Sequence, residues 1–223
     1  MCFKLNAFYT ILTVFLFAAT GTAQEPEKRY KDPTPDVDPI GSLEDFVDLF
    51  EVWDLGNLHV YAKPKDMLEY DYYFKGKAVN QASRKYLPTE VKHATIGSDE
   101  QVYAIGEITG IGRNDLYIIR IEEAEQPTRI MLTRLVEEGR LEKVATIAYF
   151  KPLEKGYEQL DTWIQDVDGD GLPDMIRKTR MLDAQGQETQ VETQVWLQLN
   201  DGTYQLSEDV KIQPADYIFE EIL

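Results

Sequence analysis

From residue 57 onward the chain alternates apolar and polar positions with a period of two. The runs LHVYA, YDYYFKG, QVYAIGEI, DLYIIRIEE, RIMLTRLV, KVATIAYF, TWIQDV, DMIRKTRM, TQVWLQL and TYQLS are rich in Tyr, Ile, Val, Leu and Thr. Gly, Pro, Asn and Asp break them apart. Such runs suit a pleated, half-buried surface, and the breakers supply the turns. Their spacing is about 10 to 15 residues, with no long helical stretch between them, which predicts antiparallel meanders rather than a parallel sheet with crossover helices. Asn200-Asp201-Gly202 predicts a tight hairpin, because Asp-Gly supplies the positive φ that such turns need. Glu138-Gly139-Arg140 predicts another. Before these runs lies SLEDFVDLF, where Leu43, Phe46, Val47 and Phe50 recur at helical spacing. Ser42 and Asp45 form a capping box at its start, so a short helix packing on the sheet is expected.

The first residues follow a different pattern. Residues 1–23, MCFKLNAFYTILTVFLFAATGTA, place Lys4 before an apolar run from Phe8 to Ala19. That run is too short for a comfortable membrane span, and Gly21 and Ala23 are the small residues a signal peptidase requires. An export signal cleaved between Ala23 and Gln24 is expected, with no membrane span left after its removal. The protein would then be periplasmic, cell-surface or secreted. Cys2, the single cysteine, leaves with the signal, so no disulfide is expected. Residues 24–41 hold Pro26, Pro33, Pro35 and Pro39 and read as an extended tail or linker. Beyond it, 42–100 reads as the N-terminal helix plus strands, and 101–223 as a blade-like β region.

Composition narrows the function. Hydrophobic residues are 43% and aromatics 11%, the profile of a folded chain. Asp plus Glu is 40 against 23 Lys plus Arg, a formal net charge of -17, which argues against nucleic acid as a partner. His59 and His93 are the only histidines, too few for an imidazole-based metal centre, and each reads as structural or solvated. His59 falls in a strand-like run and His93 in a loop. No G-x-S-x-G, P-loop, H-E-x-x-H or dinucleotide fingerprint occurs. Gly106, Gly110 and Gly112 do not form a phosphate cradle, because a hairpin rather than a helix is expected to follow. So many acids make some carboxylate pair inevitable, but no pair stands out as a glycosidase acid and base.

One segment carries chemistry. In TWIQDVDGDGLPDMIRK, Asp166, Asp168, Asp170 and Asp174 take loop positions 1, 3, 5 and 9. Calcium takes about six to eight oxygen ligands, and alternate residues of a tight loop can turn carboxylates inward. Gly171 at position 6 permits the sharp turn, and the Leu172 carbonyl at position 7 can add an oxygen. Carboxylates this close repel one another unless a cation neutralises them. Magnesium fits less well, since it prefers few carboxylates and retained waters. An EF-hand does not fit. Its closing glutamate is replaced by Arg177, position 8 is Pro173, and the flanks read as strands. The expected arrangement is a strand–loop–strand calcium site with Asp174 as the closing carboxylate.

The stretch from Asp166 to Ile176 resembles the calcium loop of FG-GAP and VCBS repeats, the blades of integrin-type β-propellers. Val195-Trp196-Leu197-Gln198-Leu199-Asn200-Asp201-Gly202-Thr203-Tyr204 is similar to the second element of that repeat. The resemblance covers about residues 160–206. It implies calcium holding the outer loop of a blade; it does not imply catalysis. A closed propeller takes at least about four blades, and one clear copy is present. Residues 101–150 resemble a degenerate second blade without the carboxylates. The fold expected is therefore mainly β, with one or two blade-like meanders.

The expected function is an exported calcium-binding β-module that binds a protein or glycan, or has a structural role. A polysaccharide hydrolase or lyase with structural calcium is one alternative. It would need an aromatic cleft around Trp53, Trp163 or Trp196 and a carboxylate pair. An accessory subunit of an envelope complex, docked through the tail or the 42–50 helix, is another.

Overall fold

The computed structural model describes residues 41–54, 56–64, 67, 72–94, 101–109, 115–123 and 127–222. The expected signal at 1–23, the tail up to residue 40, and the turn holding Gly110 and Gly112 lie outside the described residues.

The strands are β1 Glu51–Asp54, β2 Leu58–Val60, β3 Lys77–Ala78, β4 Gln101–Thr109, β5 Leu116–Glu122 and β6 Arg129–Val136. They continue as β7 Arg140–Leu153, β8 Gly156–Gln165, β9 Asp174–Leu182, β10 Glu188–Gln198 and β11 Tyr204–Ser207. All belong to one 11-stranded sheet in the order β1-β4-β5-β6-β7-β8-β9-β10-β11, with β2 on β8 and β3 on β4. From β4 to β11 each strand pairs antiparallel with the next in the chain. This is the meander that the period-two pattern predicts. Gly139 and Gly202 take positive φ at the two expected hairpins (68° and 79°).

Two expectations change within the sheet. β1 pairs parallel with β4, so the sheet is mixed. A long connection separates these two strands, and no hairpin dictates their direction. The run YDYYFKG supplies no strand among its described residues, 72–76. Tyr72 and Phe74 instead sink their rings into the core, beside a turn where Gly76 has φ 68°. Alternate residues still share a side there, which is why the run reads like a strand.

β7 organises the sheet. Its residues Arg140–Tyr149 pair with β6, and only Tyr149–Leu153 pair with β8. Register shifts opposite Ile130/Met131 and Leu132/Thr133 coil it between the two. Beyond Leu160, β8 pairs with β2 instead. The sheet therefore bends over a shared core. Ile105, Ile108, Leu116, Ile118, Ile130 and Leu132 from β4–β6 meet Ile164 and Met175 from β8 and β9.

The outer face of β4–β7 is covered too. Helix α1, Leu43–Val47, starts at Ser42, whose hydroxyl accepts from the Asp45 amide while Asp45 accepts from the Ser42 amide. Phe46 and Phe50 pack with Leu87, Val91, Tyr117, Ile119 and Ile121. The apolar face of the helix is thus used within the chain. A 3-10 turn at Ser83–Tyr86 and helix α2, Thr89–Ala94, complete this layer. His93 falls in α2, not in a loop as expected; a six-residue helix is too short for its period to show in the sequence. β5 is buried on both faces, so its sequence reads as a continuous apolar run.

Gly106 marks where β1 docks. A Cβ there would lie 2.6 Å from ring atoms of Trp53, at the register shift between Ala104 and Gly106. Gly106→Ala should displace the Trp53 ring and cost about 1–3 kcal/mol. A urea melt followed by tryptophan fluorescence checks this; an unchanged midpoint would contradict the packing.

Candidate metal centre

β8 ends at Gln165 and β9 begins at Asp174, so the aspartate loop joins two antiparallel strands of the meander. Its backbone is wound by its own side chains. Asp166 accepts the Gly169 amide on Oδ1 (2.7 Å) and the Gly171 amide on Oδ2 (2.9 Å). Asp168 accepts from the Asp170 amide, and Asp170 from the Leu172 amide. Such Asx turns need residues that tolerate tight curvature. Gly169 and Gly171 supply it with φ of 85° and 86°.

Asp174 is the anchor. It is fully buried. Its Oδ2 accepts from the Val167 amide (2.9 Å) and its Oδ1 from the Gln198 amide of β10 (2.8 Å). One carboxylate thus ties the start of the loop to β9 and β10. Burial pushes its pKa above the ordinary aspartate value; the two amides pull it down, and the charges of Asp168 and Asp170 add to the rise. Tyr204 closes the site from β11, its hydroxyl donating to the Pro173 carbonyl at 2.8 Å. Burial raises the pKa of this phenol, and the nearby Asp174 charge raises it further.

Asp166, Asp168 and Asp174 each offer a carboxylate oxygen within 4.8 Å of the others. Asp170, the fourth expected carboxylate, stands outside this group with one oxygen on the Leu172 amide at 2.8 Å. The Leu172 carbonyl accepts the Asp174 amide at 3.1 Å. The donor set fits a hard cation. Three carboxylates converge, one of them buried and raised in pKa, and each oxygen keeps a lone pair beyond its amide bond. A bound cation would replace the cost of gathering these charges with attraction.

No known protein family, curated protein or solved structure matches the chain.

The structure adds one polar cluster that the sequence did not indicate. Asp161 on β8 is fully buried and accepts from the Gln159 side chain and from the Glu220 amide, each at 2.9 Å. His59 Nε2 lies at the same 2.9 Å from it, and its ring stacks on Trp163 with centroids 4.2 Å apart. Arg180 bonds Gln159 and the Glu220 carbonyl. This network pins the C-terminal segment to β8 and β9. His59 reads from the sequence as structural or solvated, and the contact shows its place: its side chain is 26% exposed over a buried acid. No sequence signal links residues so far apart.

The three tryptophans do not share a cleft. Trp53 lines a cavity of about 320 Å³ and Trp196 one of about 490 Å³, whereas Trp163 belongs to an outer cluster with Ile176 and Val195. Asp54 is the one carboxylate in the lining of the first cavity, and the lining of the second has none among the described residues.

Proposed function

We propose that this protein is an exported calcium-binding β-module with a non-catalytic binding or structural role at the bacterial cell envelope or outside the cell. The convergence of Asp166, Asp168 and Asp174 within 4.8 Å carries this reading. The strand on each side of the loop supports it, as does the resemblance of residues 160–206 to an FG-GAP or VCBS blade. In that likeness β8–β11 stands for one blade, with β10 and β11 forming its closing hairpin. The N-terminal export pattern supports the location, because calcium is abundant outside the cytoplasm. Lining residues without a carboxylate pair speak against an acid–base polysaccharide hydrolase in the cavity that holds Trp196.

Asp166, Asp168 and Asp174 would hold the ion, with Asp170 and the Leu172 carbonyl completing the oxygen set. The ion would supply positive charge and fix the loop between β8 and β9. Exported modules of this kind bind with Kd of about 10⁻⁴ to 10⁻³ M. Calorimetric titration with calcium and magnesium tests the assignment. Calcium should bind in that range, magnesium more weakly, and Asp168→Ala should lose most of the affinity. Equal binding of both ions, or none, would overturn it.

A further inference from the structure

The cavity of about 490 Å³ lies between β6 and β7 on one side and β9, β10 and the β10–β11 hairpin on the other. It opens beside the stretch of β7 that β8 leaves unpaired. Its volume suits a small ligand or one or two sugar rings. The chain as a whole is strongly acidic, with a net charge of -17, yet this cavity gathers Arg134, Lys143 and Arg177.

Those cations differ in how far they are already neutralised. Glu142 holds Arg134 through Nε and Nη2 (3.1 and 2.9 Å). Asp201 acts on Arg134 at longer range, but spends its carboxylate on the Thr203 amide and hydroxyl. Arg177 is half-buried and makes no ion pair among the described residues. Its Nη2 donates to the Thr146 carbonyl (3.2 Å), and its Nε has no partner. Burial depresses the Arg177 pKa, and Tyr149 and Glu192 only partly offset this. Lys143 is exposed at the rim and pairs with no carboxylate among the described residues. Two cations therefore make no close ion pair among the described residues, and the Glu192 charge reaches Arg177 only at longer range. Aromatic surfaces line the same cavity: the Trp196 ring lies 5.9 Å from the Arg177 guanidinium, and Tyr204 is part of the lining. Thr203 adds a hydroxyl.

We infer that this cavity binds a carboxylate-bearing sugar of an acidic polysaccharide, with Arg177 and Lys143 on the carboxylate and Trp196 under the sugar ring. A guanidinium and an ammonium recognise a carboxylate through charge-assisted bonds, and an aromatic face suits the apolar side of a pyranose. A neutral sugar would leave both cations unanswered. A small inorganic anion would leave the aromatic wall unused. The inference gives the binding role proposed above a ligand class, and it rests on that reading only in expecting no turnover.

The test is calorimetric titration of the full chain with trigalacturonate, maltotriose and inorganic sulfate, in calcium and in EDTA. Trigalacturonate should bind more tightly than both others, and its affinity should fall as salt rises. Lys143→Gln should weaken it about tenfold, and Arg177→Lys about as much, because the fork geometry is lost. Lys143 is exposed, so its variant should keep the wild-type melting temperature and separate binding from folding. Equal affinity for maltotriose, sulfate binding as tight as trigalacturonate, or no binding at all would overturn the inference and leave the calcium assignment standing. Cleavage of the bound trisaccharide would instead contradict the non-catalytic reading, while leaving the ligand class intact.

Discussion

Asp174→Ala should lower stability by about 2–4 kcal/mol even in EDTA, and abolish any response to calcium. Each buried amide left without a partner costs about 1–3 kcal/mol. The substitution strands the buried Gln198 amide and leaves the half-buried Val167 amide to whatever water reaches it. Relief from burying a charge beside Asp168 and Asp170 offsets part of the loss. Asp174→Asn keeps one carbonyl acceptor, so it should cost about half as much while still losing the metal. Urea unfolding of both variants in EDTA measures the difference. If Asp174→Ala unfolds at the wild-type midpoint, Asp174 is not the anchor of the loop.

The second large effect concerns a buried ion pair outside the loop. Arg120 and Glu122 on β5 are 1% and 4% exposed and bonded to one another. Arg120 also donates to the Lys75 carbonyl (2.7 Å) and stacks 4.1 Å over the Tyr103 ring. Arg120→Ala leaves Glu122 as an uncompensated buried charge and should cost about 3–5 kcal/mol. Replacing both, Arg120→Met with Glu122→Leu, removes the charges together and should fall within about 1 kcal/mol of wild type. A double-mutant cycle by urea unfolding reads the coupling directly. A double variant as unstable as the single one would show that shape and stacking on Tyr103, not charge pairing, hold this end of the core.

Local chemistry was legible in the sequence; distant pairing was not. Gly139 and Gly202 mark their hairpins because only their positive φ closes such turns, and the Ser42 capping box marks α1 for a similar local reason. The aspartate loop was legible because all its ligands lie within nine consecutive positions, 166–174. Its details were not. Alternation alone treats Asp166, Asp168 and Asp170 alike, whereas Asp166 and Asp168 converge with Asp174 and Asp170 stands outside the group. The parallel pairing of β1, the contact of His59 with Asp161 and the basic cavity each join residues far apart in the chain. Nothing local encodes them. Tyr72 and Phe74 show the converse error, since alternation there records burial into the core without a ladder.

The most direct measurement is the melting temperature of the protein in EDTA, magnesium and calcium, beside Asp168→Ala. Asp168 is exposed and bonds only the Asp170 amide among the described residues, so its loss should leave the fold intact. At tenfold saturation, calcium binding to the folded state adds about 1.4 kcal/mol. Calcium alone should raise the melt of the wild type, and Asp168→Ala should not respond. A wild type indifferent to calcium would contradict the account and leave the loop as an acidic turn.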